Sequence, residues 1–332
     1  VKAPITALLI AMLTSSSVSI AKAEPAPAVR LNYVRVQLSD GRILFAGGSD
    51  DEGHPIARAE IYSPANNKLE KTGAMIAPRC GPTATLLPDG TVFIVGGALC
   101  SEDLAPVRLM EIFDPREDKF REAGSLIFAR YDLSAILLRN GKVLLAQGYD
   151  ADRNLVPQAD LYNTATGKLE AAGSMVLPRC FASMTQLSNG AVLFTGGARC
   201  DDPERPAIKG AEIYDPATKF KRVGDLGLAR VCHTATLLKD GKVLIAGGST
   251  AMIYGVSHHT AEIYDPERAS FTPTGDLTKA RSCASAILRD DGTVIVKGGY
   301  SRSTTEGAQI DLIDSEIYDP KTGKFTAAAL AQ

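Results

Sequence analysis

The sequence has little of what several common functions require. Its 332 residues carry 36 Lys and Arg against 38 Asp and Glu, with no basic run. A chain of formal charge -2 has no field that would draw a nucleic-acid backbone, so no nucleic-acid partner is expected. It has no tryptophan and only four histidines, and none of these accompanies the cysteines at ligand spacing, so no metal and no cofactor is expected. Past the first two dozen residues no apolar run is long enough for a transmembrane helix, and no membrane span is expected.

Hydrophobic residues make up 45% of the chain, enough for a substantial core. The N-terminus stands apart. Lys2, an apolar stretch from Ile5 to Leu13 and the small-residue site Ala21-Lys22-Ala23 predict a secretory signal over residues 1–23. The expected location is therefore secreted or periplasmic, with residues 24–332 as a single domain.

Six copies of one unit fill that domain. An arginine lies eleven residues before the glycine of an Asp-Gly or Asn-Gly pair at Arg30, Arg79, Arg130, Arg179, Arg230 and Arg281, and successive arginines are 49 or 51 residues apart. Two β-prone runs flank each pair, predicting a hairpin through a type I′ turn. The second run ends in Gly-Gly in five copies and in Gln147-Gly148 in the third. A loop of variable length leads to a third strand such as Glu60-Ile61-Tyr62. A turn, usually begun by Asp-Pro, leads to a fourth strand near Leu69, Phe120, Leu169, Phe220, Phe271 or Phe325. Four short antiparallel strands per copy predict an all-β, six-bladed β-propeller, whose radial closure protects sheet edges and buries both faces of each blade. The blades fall near 28–78, 79–129, 130–178, 179–229, 230–280 and 281–332.

The double glycine, the Glu-x-Tyr-Asp-Pro and the following aromatic resemble the kelch repeat. The run from Arg230 to Gly248, with His233-Thr-Ala-Thr and Asp240-Gly241, resembles the propeller repeats of galactose oxidase and of many bacterial exported proteins. The likeness covers residues 30 to about 328, with Leu or Phe where the repeat usually has tryptophan. It implies the fold. For function it implies only a range, because such propellers serve as enzymes, sugar binders and docking platforms. A copper oxidase of this kind would need two histidines, two tyrosines and a tyrosine crosslinked to cysteine. His233 sits where the repeat ordinarily has histidine, and His258 and His259 are loop neighbours, so this oxidase is not expected.

The six cysteines suit an oxidising compartment. Cys80 and Cys100 are equally distant from Gly90, and Cys180 and Cys200 from Gly190, so each pair is expected to face across its hairpin and form a disulfide. Cys232 and Cys283 occupy matching places in blades 5 and 6. An inter-blade disulfide, a pair of buried thiols and a soft-metal site remain open for them.

The six arginines would gather at the start of the innermost strands, where guanidinium groups can hold a carboxylate or phosphate. Each copy also has one acid at the start of strand 3. The economical reading is six ion pairs: Arg30 with Glu60, Arg79 with Glu111, Arg130 with Asp160, Arg179 with Glu212, Arg230 with Glu262 and Arg281 with Glu316. Gly-Gly in the strand between would leave the arginine room to reach across. Variation concentrates in the loops between strands 2 and 3, where binding is expected. The candidate binding residues are the six arginines with His54, Tyr149, Tyr254, His258, His259 and Tyr300, and no catalytic residue can be singled out. The expected function is a monomeric binding module for a protein or glycan, the alternative being a carbohydrate-active enzyme, either a sugar mutarotase or isomerase or an oxidoreductase.

Overall fold

The computed structural model describes residues 32–100 and 105–328; the expected signal segment and Arg30 lie outside them. The fold is a six-bladed β-propeller of four-stranded antiparallel sheets, each in sequential strand order. Blade 1 is built from Val34–Gln37, Ile43–Ala46, Ala59–Ser63 and Lys68–Lys71. No described helix is long and apolar enough to cross a membrane.

Two compact units divide the chain between Leu137 and Leu138. The first contains blades 1 and 2 and the first strand of the third sheet. The second contains the remaining strands of that sheet and blades 4 to 6. In each unit first strands pack against first strands of successive blades: Val34–Gln37 against Thr83–Leu86, and Ser183–Gln186 and Ser285–Leu288 against Thr234–Leu237. Strand 1 is thus the innermost strand, and strand 2 is largely buried, fully so in Val92–Val95 and Val243–Ala246. Strand 4 is exposed apart from one partly buried hydrophobic residue, as in Lys68–Lys71 and Lys219–Arg222. Its hydrophobic residue pairs with the strand 3 aromatic: Tyr264 and Phe271 are in register with ring centroids 4.8 Å apart, and Tyr318 and Phe325 are 4.9 Å apart.

The 1–2 hairpins differ from the expected type I′ turn. In blade 2 the Gly90 amide donates to the Leu87 carbonyl and the Leu87 amide to the Thr91 carbonyl, with φ positive at Gly90 but not at Asp89. This is a type I turn closed by a glycine bulge, which Pro88 favours by fixing φ at the turn's second position. Asp89 is the centre of the hairpin, and its carboxylate accepts the Thr91 amide at 3.0 Å. Asp40, Asn140, Asn189, Asp240 and Asp291 make the same bond in the other copies.

That shift of centre moves the cysteines. Both expected disulfides are present, Cys80–Cys100 and Cys180–Cys200, each with Cα atoms 6.0 Å apart. The backbone partner of Cys80 is Ala98, however, and that of Cys180 is Ala198. The cysteines are therefore diagonal neighbours, and Cys100 and Cys200 reach back from the start of the 2–3 loop.

Candidate functional site

The arginines form the frame beneath the loop face. Arg79, Arg179, Arg230 and Arg281 bond Glu111, Glu212, Glu262 and Glu316 at 2.5, 2.9, 2.7 and 2.6 Å. Each arginine also donates to at least two carbonyls, for Arg230 those of Gly247 and Thr260 at 2.7 and 3.1 Å. Each glutamate accepts an amide from the segment preceding its arginine, as Glu111 does from Ile76 at 2.7 Å. Burial pulls the pKa of Arg79, Arg179 and Arg230 down and the paired glutamate opposes it, while burial pushes Glu212 up against the opposing charge of Arg179. Guanidinium and carboxylate bonded in this way brace strands 1 to 3 of one blade. Arg130 and Asp160 are also buried, and Glu60 is bonded by Arg58.

Gly-Gly has a different cause from the one expected. A Cβ on Gly47 would lie 2.8 Å from the carbonyl oxygen of Arg79 in the next blade, and Gly196 and Gly247 meet Arg230 and Arg281 in the same way. The amides of Gly48, Gly197 and Gly248 donate to those carbonyls at 2.8, 3.0 and 2.9 Å. The glycines thus let neighbouring blades touch backbone to backbone. In the third blade Gln147 stands at this place with φ 68, and its buried amide bonds both the N–H and the C=O of Ala182.

Sequence reasoning missed a second repeated feature. Two residues after each arginine the chain turns left-handed: Asn32, Gly81, Asp132, Phe181, Cys232 and Cys283 have φ between 52 and 60. For a residue with a Cβ this conformation costs roughly 1–2 kcal/mol. The turn aims the Gly81 amide at the Asn32 carbonyl and the Cys283 amide at the Cys232 carbonyl, both at 2.7 Å. Asn, Gly and Asp are the signal that could have revealed it, because they tolerate positive φ; Phe and Cys carry no such signal. Cys232 and Cys283 are free thiols. The Cys232 thiol lies 3.7 Å from the Met252 sulfur. Tyr300 is partly buried, exchanges backbone hydrogen bonds with Ser282, and has its pKa raised by burial.

The other expected site residues separate into buried and exposed groups. Tyr149 is 2% exposed, beneath the Arg205 guanidinium. His258 is half-buried, bonds the Ala229 carbonyl at 3.0 Å, and has its pKa lowered by burial. Tyr254 is 67% exposed with Arg302 over its ring, His259 faces Asp276, and His54 lies near Asp50 and Glu52. A cleft of about 670 Å³ opens on the second unit. Leu155, Pro157, Leu177, Pro178 and Ile208 give it apolar walls. The pairs Arg199–Asp201 and Arg222–Asp225, together with Lys209, supply its charge.

No family model matches the chain. Galactose oxidase of Gibberella zeae is 32% identical over 129 residues, which is 35% of this chain and 19% of that enzyme, so the chain spans about a fifth of its curated relative. Among solved structures, that of YjhT matches with TM-score 0.65 at 11% identity, covering 94% of this chain and all of the other. A fungal alcohol oxidase of the AA5 family, in complex with copper, matches with TM-score 0.64 at 19% identity, covering 85% of this chain and 62% of the other. Among the described residues no group of three or more His, Cys, Asp or Glu is placed to hold a metal ion. His233 bonds Thr195 at 2.9 Å, His258 bonds a backbone carbonyl, and His259 and His54 face acids at the surface. Repeat, strand order and structural likeness together make the chain a six-bladed β-propeller whose repeat resembles the kelch motif.

Proposed function

We propose that the protein is an exported glycan-binding module whose ligand lies in the cleft between the loops of blades 3 and 4. The observation that supports this reading most is the contrast between the inner arginines and the cleft. Arg79, Arg179, Arg230 and Arg281 are buried in ion pairs with glutamates, so they are not presented to a ligand. The cleft instead offers apolar walls beside half-exposed charged pairs. Apolar walls accept the C–H faces of a sugar while a few polar groups fix its hydroxyls, and the volume is within the range of ligand pockets. Two disulfides suit a protein that works outside the cytosol.

The second reading is an enzyme acting on a carbohydrate alcohol, favoured by the sequence match to galactose oxidase. An array of neutral and acidic oligosaccharides, followed by calorimetry on the hits, distinguishes the two. The expected result is a bound glycan whose affinity falls at least tenfold in a Lys209→Ala, Arg222→Ala double variant and which is recovered unchanged. Affinity indifferent to the double variant would remove the cleft as the site. A chemically altered sugar would replace the binding module with the enzyme.

A further inference from the structure

We propose that Cys232, Cys283 and Met252 form a sulfur site for a monovalent d10 metal ion, Cu(I) or its analogue Ag(I), at the mouth of blades 5 and 6. The site is independent of the glycan cleft and uses none of its residues.

The Cys232 thiol lies 3.7 Å from the Met252 thioether. Cys283 stands beside Cys232, its amide donating to the Cys232 carbonyl at 2.7 Å. Three sulfurs around an ion in one plane, with bonds of about 2.3 Å, would stand about 4 Å from one another. The Cys232–Met252 spacing is already close to that, and the Cys283 side chain completes the set from the adjoining backbone.

The backbone holds the donors in place. Both cysteines are left-handed, with φ 56 and 52, and the Cys283 amide bonds the Cys232 carbonyl. Met252 is fixed from the other side, because its amide donates to the Arg205 carbonyl at 3.1 Å and Ala251 bridges to Pro206. The left-handed conformation, unfavourable for a residue with a Cβ, sets the two cysteines at matching places of successive blades with their backbones in contact. Cys232 is nearly closed off, whereas Cys283 and Met252 are half-buried, which leaves an ion a path from solvent.

The donor set selects the ion. Thiolates with a thioether favour Cu(I), while Zn(II) prefers four ligands from thiolate, imidazole and carboxylate. No group of three or more His, Cys, Asp or Glu suited to a metal occurs among the described residues, so a harder ion finds no complete set here. Binding exchanges two protons for one ion: each thiol loses its hydrogen, two metal–thiolate bonds form, and the thioether adds its lone pair. The ion keeps its oxidation state, and no oxidant takes part. The complex carries one negative charge.

The test is an anaerobic titration of the full chain, disulfides intact, with Cu(I) held by a chromophoric chelator and, separately, with Ag(I). One equivalent should bind, with a thiolate-to-metal absorption band and about three sulfur neighbours by X-ray absorption. Cys232→Ser and Cys283→Ser should each weaken binding at least a hundredfold. Met252→Leu, which keeps the shape of the loop, should weaken it about tenfold and leave the melting temperature of the metal-free protein unchanged. Binding that is absent, that persists in the cysteine variants, or that Zn(II) matches at equal concentration would overturn the site. So would a Cys232–Cys283 crosslink in the protein as purified.

Discussion

Blades 2 and 4 place a cysteine directly after the inner arginine, and blades 5 and 6 place it one residue later. Cys80 and Cys180 lie in extended chain beside their own hairpin and join Cys100 and Cys200 at the root of the 2–3 loop. Cys232 and Cys283 stand on the left-handed residue, where the next blade's backbone approaches, and remain thiols. A step of one residue therefore decides between a crosslink within a blade and a pair of free sulfurs between blades. The same scaffold separates structure from function: the Gly-Gly that ends strand 2 belongs to the frame, and the loop projecting beyond it is free to vary.

The largest break in that frame should come from an arginine. Arg179→Met leaves the buried Glu212 carboxylate without its partner and should cost about 3–5 kcal/mol, measured by urea unfolding. Adding Glu212→Met should return part of the loss. A single variant as stable as the parent would mean that the pair does not brace the blade.

The cysteine comparison comes next. Replacing Cys180 and Cys200 together by serine opens a 20-residue loop and should cost about 3 kcal/mol. The matching Cys232, Cys283 double replacement should cost under about 1 kcal/mol, since it removes no crosslink. Equal losses would erase the distinction between the two kinds of cysteine.

A smaller effect should appear with pH. Burial, aided by the charge of Arg230, lowers the His233 pKa to about 3 from an ordinary 6.5. The unfolded chain therefore takes up this proton first, and its contribution to stability is lost as pH falls from 6.5 toward 3. The slope should be about 1.4 kcal/mol per pH unit, or about 2 kcal/mol between pH 6.5 and 5. His233→Asn should flatten that slope relative to the parent, and identical slopes would show that His233 is not held neutral.

The repeat made much of this legible in advance. Strand order, hairpin positions, four of the arginine–glutamate pairs and both disulfides can be read from residue spacing, because each rests on a feature present in every copy or nearly so. The centre of the hairpin was not legible, since type I′ and bulged type I turns both favour Asp-Gly; the side-chain bond from Asp89 to Thr91 decides between them. Gly-Gly was readable as a position but not as a cause, because the clashing atom, the Arg79 carbonyl, belongs to the next copy. Met252 could not be found from spacing at all. It lies in a loop without counterpart in the other copies, and only its pairing with the blade 4 loop brings it to the thiols.

The most direct measurement is a peptide map of the freshly purified, unreduced protein after its free thiols are alkylated in denaturant. The expected map has the Cys80–Cys100 and Cys180–Cys200 peptides joined, and Cys232 and Cys283 both carrying the alkyl label. A map that joins Cys232 to Cys283, or leaves any of the other four labelled, would contradict it.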